Sequence, residues 1–152
     1  MSNTDHKHCE TKQPKTVLVF GVFDLLHPGH LHFLEEAAKH GDRLVVVVTR
    51  DERCEAEKGR RPLHPLEERL RMVRTLPCVA DALRGDPPGQ WGMLERLAPD
   101  VVCVGHDQPT DSPAVLRQLS ALVKRPILVR ITAHEPQRYK TSVIRAAIHR
   151  EG

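Results

Sequence analysis

The residues best suited to chemistry fall in one decapeptide, Gly21-Val22-Phe23-Asp24-Leu25-Leu26-His27-Pro28-Gly29-His30. An apolar run ending at Phe20 leads into it, and Leu31, Phe33 and Leu34 open an amphipathic segment behind it. The stretch therefore reads as a strand, a tight loop and a helix start, the place where open α/β sheets take ligands. A helix N-terminus offers unpaired N–H groups and partial positive charge, both suited to a phosphate. His27 and His30 flank a Pro-Gly pair there and are placed to hold an anion. Asp24 has two readings: it fixes the loop through backbone hydrogen bonds, or it reaches a metal ion.

The elements that must position these residues follow from the apolar pattern. Strands are expected at 16–20, 44–48, 79–83, 101–104 and 126–131. Helices are expected at 29–40, from Pro65, at 91–97, at 113–123 and from Thr141 or Ser142. The runs 44–48 and 101–104 are aliphatic without alternation, as in parallel strands covered on both faces. Strands alternating with helices imply right-handed crossovers and an α/β, doubly wound parallel sheet. Pro65 takes the first helical position, with Glu67 and Glu68 in the first turn and Leu66, Leu70 and Val73 facing inward. His40-Gly41 reads as a helix end with a C′ glycine. Between them, 49–63 reads as a long polar loop carrying Arg50, Asp51, Lys58, Gly59, Arg60 and Arg61; loops of that length are usually functional or mobile.

A length of 152 residues suits one domain, 16–152, behind a polar tail, 1–15, expected to be disordered. With 39% hydrophobic residues and only 3% aromatic, the core must be aliphatic. The net charge of +3 fits a small anionic ligand. No basic run with interleaved aromatics marks a nucleic-acid surface, so that partner is discounted. Cys9, Cys54, Cys78 and Cys103 form no C-x-x-C pair, which suggests a reducing cytoplasm. The tail has no apolar segment of the signal-peptide kind, and no later run approaches membrane-spanning length, so no membrane association is expected. His6, His8 and Cys9 are three candidate metal ligands without a fourth, and a solvated tail is the simpler reading.

The glycine-rich dinucleotide fingerprint and the Walker A pattern are both absent. Instead, G-x-F-D-x-x-H-P-G-H resembles the signature of the cytidylyltransferase-like nucleotidyltransferase superfamily, the HxGH type, and the similarity extends from Thr16 to about Arg145. Lys58-Gly59-Arg60 followed by Pro65-Leu66-Glu67-Glu68-Arg69 looks like the family's lysine loop and E-x-R helix. Pro99-Asp100-Val101-Val102 leading into Gly105-x-Asp107-Gln108 is similar to the strand and turn that hold ribose and base. Tyr139-Lys140-Thr141-Ser142-Val143-Ile144-Arg145 occupies the place of the second phosphate motif, with Thr-Ser where the family typically has S-T-T or S-S.

The resemblance implies a single Rossmann-like domain that transfers a nucleotidyl group to a phosphorylated acceptor. It makes His27, His30 and Lys58 catalytic. Nucleotide binding falls to Gly21, Val22, Phe23, Asp24, Pro28 and Gly29 beside the histidines, and to Gly105, Asp107, Gln108, Tyr139, Thr141, Ser142 and Arg145. Lys58 and Arg69 are assigned to substrate, and Mg²⁺ is expected on the triphosphate, held mostly by phosphate oxygens and water with a carboxylate such as Asp24. The chemistry needs an attacking phosphate oxygen aligned with the α-phosphorus, so positioning and charge stabilisation dominate. An ionised phosphate needs no base, which leaves the histidines as hydrogen-bond donors to developing charge. Plainer roles stand beside these. Lys58 could be a solvated charge, Arg69 could pair with a glutamate on its own helix, and Thr141 and Ser142 could be an N-cap. His64, His106 and His134 are expected to be exposed.

Within the superfamily the sequence is most similar to archaeal-type FAD synthases, which are FMN adenylyltransferases, through Gly105-x-Asp107-Gln108 and the segment from His134-Glu135-Pro136 to Ser142. That favours ATP over CTP and FMN as acceptor. Glycerol-3-phosphate cytidylyltransferases share the first motif, but their G-D-D-W and R-x-x-G-I-S-T-T sequences are missing. Heptose-phosphate adenylyltransferases share G-V-F-D-x-L-H and R-P-x-x-P-L-E-x-R and remain in competition. A nucleotide-binding sensor on the same fold is the non-enzymatic alternative. The family is commonly dimeric, which leaves a homodimer open.

Overall fold

The computed structural model describes residues 13–106, 113–132 and 141–151. Five strands alternate with helices: β1 Thr16–Gly21, α1 Pro28–Ala38, β2 Arg43–Val48, α2 Asp51–Lys58, α3 Leu66–Arg74, β3 Asp81–Arg84, α4 Gly92–Leu97, β4 Val101–Gly105, α5 Pro113–Ala121, β5 Ile127–Ile131 and α6 Thr141–Glu151. The strands form one parallel sheet in the order β3-β2-β1-β4-β5. The chain starts mid-sheet, winds outward to β3, then returns to place β4 on the other side of β1. The crevice beyond the carboxyl ends of β1 and β4 is the switch point of such a sheet. The loop after Gly21 borders one side of it and Gly105 the other.

The absence of alternation in the strands has the expected cause. Val17, Val19, Leu44, Val46 and Val48 face Leu34 and Ala37 of α1 and Leu70 and Val73 of α3. The intervening Leu18, Val45, Val47 and Val102 face Met93 and Leu94 of α4, with Leu119 of α5 packed beside them. Both faces of β1 and β2 are thus sealed, while the edge strand β5 leaves Ile127 67% and Leu128 41% exposed. Among the described residues no helix is long and apolar enough to cross a membrane.

The expected loop 49–63 is largely helix instead. α2 occupies Asp51–Lys58, opened by Asp51 and Glu52 where the dipole favours acids and closed by Gly59 in the left-handed region at φ 75°. Its only buried residue is Cys54, so it offers no apolar stripe to read. α3 starts at Leu66 with Pro65 as its N-cap, one residue later than the proline rule suggests. Gly41 does not serve as a left-handed cap: α1 ends in Lys39, and a Cβ at Gly41 would lie 2.6 Å from Val17 Cγ2. Order also begins before Thr16, because the Lys15 carbonyl accepts from Asp42 and Arg43. The residues of the N-terminal tail up to position 12, with His6, His8 and Cys9, lie outside the described residues.

Leu34 is wholly buried at the contact of α1 with the sheet. Leu34→Ala should lower stability by about 2–5 kcal/mol, read as a shifted midpoint in chemical denaturation. A loss well under about 1 kcal/mol would mean that α1 does not pack as described.

Candidate active site

The histidine pair sits at the start of α1 and builds its own cap. His27 is the N-cap, in extended backbone at φ −144°, and its Nδ1 accepts the Gly29 N–H at 3.1 Å. His30 Nδ1 accepts the His27 N–H at 3.3 Å, closing a reciprocal capping box made of imidazoles in place of the usual hydroxyl and carboxylate. The two rings stack at 3.8 Å between centroids. Because each Nδ1 is an acceptor, each ring is neutral and carries its proton on Nε2. Burial pushes the His27 pKa down, and burial followed by repulsion from His27 pulls His30 down to about 3, against an opposing pull from Asp24.

This geometry changes the expected anion site. Pro28 has no N–H, the Gly29 N–H is taken by His27, and the His30 N–H donates to the His27 carbonyl at 2.9 Å. The backbone donors anticipated at this helix start are therefore engaged within the chain. What remains for a ligand is the pair of Nε2–H groups, to which no described residue is bonded.

Gly21, Val22, Phe23 and Asp24 shape the loop that leads to the histidines. Phe23 folds its ring over Gly21, where a Cβ would come within 2.7 Å of the ring, and lies tilted to His30 at 5.6 Å. Phe23 and Leu25 both adopt positive φ, 52° and 50°. Between them the Asp24 side chain turns inward and is 3% exposed. Its Oδ2 accepts the Leu63 N–H at 2.7 Å and Arg145 at 2.6 Å, and its Oδ1 accepts the His64 N–H at 3.1 Å. Burial raises its pKa, but these hydrogen bonds and the Arg145 charge more than offset that, and the net shift is downward. Of its two readings the contacts made here are those of the loop fixer, with both carboxylate oxygens engaged.

Arg145 and Thr141 arrive from α6. The Thr141 hydroxyl donates to the Asp24 carbonyl at 3.1 Å, and Arg145 forms the ion pair with the Asp24 carboxylate. Arg145 Nε is buried without a hydrogen-bond partner among the described residues. Ser142 is exposed beside them. Gly105 ends β4 across the crevice, while Asp107, Gln108 and Tyr139 lie outside the described residues.

Arg69 requires a correction. Expected on the substrate, it is 0% exposed and bonded in four directions: to the carbonyls of Val22, Thr49 and His64, and to Asp51 Oδ1 at 2.6 Å. It ties together the ends of β1 and β2 and the start of α3. Asp51, which the sequence reading did not single out, is its partner and also accepts the Leu66 N–H. An acid at the first position of a helix directly after a strand was the available signal. Lys58 is exposed in the last turn of α2, and no described contact brings it to the histidines. The His64 side chain is 40% exposed, and its ring meets Glu68 at 3.1 Å. Among the described residues no group of three His, Cys, Asp or Glu is placed to cage a metal.

Two outcomes follow. Arg69→Met breaks a buried ion pair and should cost about 3–5 kcal/mol of stability by denaturant titration. If stability were kept and only the substrate KM rose, Arg69 would be a substrate ligand after all. The histidines set a pH dependence as well. Their folded pKa values lie below the unfolded value of about 6.5, so the unfolded chain binds more protons as pH falls. Stability should be fully present above pH 6.5 and decline toward pH 4, before Asp24 begins to titrate. His30→Gln should flatten that decline, and an equal slope in the variant would contradict the assignment.

Comparison with known proteins places the chain. Residues 18–147 match the family described as cytidylyltransferase-like. The chain is 37% identical over 131 residues to the FAD synthase of Pyrococcus abyssi, covering 84% of this chain and 88% of that one. It is 39% identical over 126 residues to the FAD synthase of Methanocella paludicola, covering 83% and 89%. Among solved structures, a lipopolysaccharide core biosynthesis protein from Thermoplasma volcanium superposes with a TM-score of 0.74 at 32% identity, covering 81% of this chain and all of that one. A pantoate-beta-alanine ligase from Francisella tularensis, at 11% identity and a TM-score of 0.56 over 90% of this chain and 69% of that one, shares the fold. With its paired histidines at the switch point of a parallel sheet and these relatives along most of its length, the chain belongs to the cytidylyltransferase-like family.

Proposed function

We propose that the protein is an FMN adenylyltransferase, a FAD synthase that joins the AMP moiety of ATP to FMN and releases pyrophosphate. The observation that carries the reaction is the meeting of two neutral, Nε2-protonated histidines with Arg145 and Thr141 around one loop. The choice of FMN and ATP is supported by relatives that are FAD synthases at 36–44% identity.

An oxygen of the FMN phosphate forms the new bond to the α-phosphorus, and the bond from that phosphorus to the bridging oxygen breaks, its electron pair leaving with pyrophosphate. Neither a covalent nucleophile nor a general base is needed. His27 and His30 donate from Nε2 to phosphate oxygens as charge builds toward the leaving group, and as neutral donors they need no proton transfer to do it. Stacking and the capping box fix both rings before substrate arrives, so little reorganisation accompanies reaction. Arg145 has a donor, Nε, left over for a ligand oxygen. Ser142 at the start of α6 supplies a hydroxyl, Asp107, Gln108 and Tyr139 are assigned to the nucleoside, and Lys58 to phosphate charge. Arg69 acts only by positioning the loops.

A divalent cation, Mg²⁺ being the expected one, would supply charge neutralisation on the triphosphate. Among the described residues no group of three His, Cys, Asp or Glu is placed to cage it, so phosphate oxygens and water would supply most of its ligands, while the Asp24 carboxylate is engaged by Leu63, His64 and Arg145.

The test is pyrophosphate release measured for ATP and CTP, each with FMN, glycerol 3-phosphate and a heptose phosphate. ATP with FMN should give pyrophosphate and FAD; release only with another acceptor would move the assignment to that acceptor, and no release with any would leave a binding protein. In the productive pair, His27→Ala and His30→Ala should each lower kcat by about 2–4 kcal/mol of transition-state stabilisation with a smaller change in KM. A rise in KM at constant kcat would show that the donors act on the ground state alone.

A further inference from the structure

Asp24 does more than fix its own loop. Its two carboxylate oxygens and its carbonyl collect bonds from two distant parts of the chain that serve different ends of the site. From α6 come Arg145, to the carboxylate at 2.6 Å, and Thr141, to the carbonyl at 3.1 Å. From the segment that follows Lys58 come the N–H groups of Leu63 and His64, at 2.7 and 3.1 Å. The chain of contacts continues from there. The His64 carbonyl accepts Arg69 Nε at 2.9 Å, and Arg69 grips Asp51, the first residue of α2, at 2.6 Å. α2 carries Lys58 in its last turn.

The charged links in this line are shielded: Arg69 is fully buried, Asp24 is 3% exposed, and the side chains of Arg145 and Asp51 are 14% and 20% exposed. Charge interactions are strong and poorly screened in such surroundings, so a shift of one member must be answered by its neighbours. The line also has an unfinished end, since Arg145 Nε is buried with no partner among the described residues. An anion supplying that partner would draw on the guanidinium that Asp24 holds.

We infer that Asp24 is a positioning residue that couples the nucleotide-phosphate end of the site, at α6, to the segment 51–64 that carries Lys58. This rests on the proposed nucleotide role of α6. Asp24 touches no substrate; it sets how far the two ends stand from each other, and an anion bound at α6 stiffens 51–64 through it.

Hydrogen exchange tests the coupling with the full chain and a non-hydrolysable ATP analogue carrying Mg²⁺, at saturation and without FMN. In the parent protein the analogue should slow exchange around 21–30 and 141–151, and also across 51–64, by about tenfold at the Leu63 and His64 amides, a factor equivalent to about 1.4 kcal/mol. Arg145→Gln leaves Asp24 its Leu63 and His64 bonds, and its carbonyl the Thr141 bond, but cuts the ion pair that ties its carboxylate to α6. With analogue bound, it should keep protection around 21–30 and lose the response at 51–64. Asp24→Asn, where it folds by circular dichroism, should do the same. A merely structural Asp24 would lower the melting temperature and leave the ligand-induced response at 51–64 unchanged, and that result overturns the inference. So does a parent protein that binds the analogue with no response at 51–64. Failure of the analogue to bind the parent protein at all overturns the nucleotide reading itself, and the coupling with it.

Discussion

A carboxylate buried among loops must be paired or it will take up a proton, and Asp24 is paired from three directions at once. Desolvation disfavours its charge, while two amides and a guanidinium favour it, and the balance keeps it ionised. The loop after β1 owes its shape to that negative charge. With a neutral group in its place, the Leu63 and His64 amides and the Arg145 guanidinium would have no common acceptor. Among the described residues, the hydrogen bond still joining the turn that presents the histidines to α3 would be that of Arg69 to the Val22 carbonyl.

The histidines themselves show one ring serving two purposes without conflict. The Nδ1 side closes the helix, and the Nε2 side is left for a ligand. Protonation of either ring at Nδ1 would abolish a cap, so the local structure resists the charged state just as burial does. Donation by a neutral imidazole also suits a site receiving two phosphorylated molecules. It offers hydrogen bonds without a mobile proton, and the cationic work is left to arginine, whose charge does not vary over physiological pH.

Much of the fold was legible because β1, β2 and β4 carry their evidence in composition: an aliphatic run covered on both faces is hard to mistake. α2 was not legible. The segment DERCEAEK is polar nearly all round, and a single buried cysteine gives periodicity nothing to detect. Only its ends, Asp51 with Glu52 and Lys58 with Gly59, carry the signal, and they were read as loop chemistry. The same limit governed Arg69. A pattern that sorts charged residues outward has no means of seeing three carbonyls and a carboxylate converge on an arginine from separate loops. The HxGH stretch located the histidines in the chain, but which nitrogen of each ring faces the helix is a property of three-dimensional contact. The nucleoside's contacts were least legible, since Asp107, Gln108 and Tyr139 are tied to it by resemblance alone.

The backbone of the loop after β1 has a consequence of a different kind. Phe23 and Leu25 sit on either side of Asp24 in the left-handed region, a conformation that costs a side-chain-bearing residue on the order of 1 kcal/mol or more. The turn is therefore a point of local frustration, held in shape by the bonds that converge on its middle residue. Glycine at position 25 would relax the backbone and favour the folded turn locally, yet it would also open conformations from which the histidines are no longer aimed. Stability and aim pull in opposite directions at this turn, so a variant selected only for resistance to heat would be expected to drift away from the geometry that the chemistry needs.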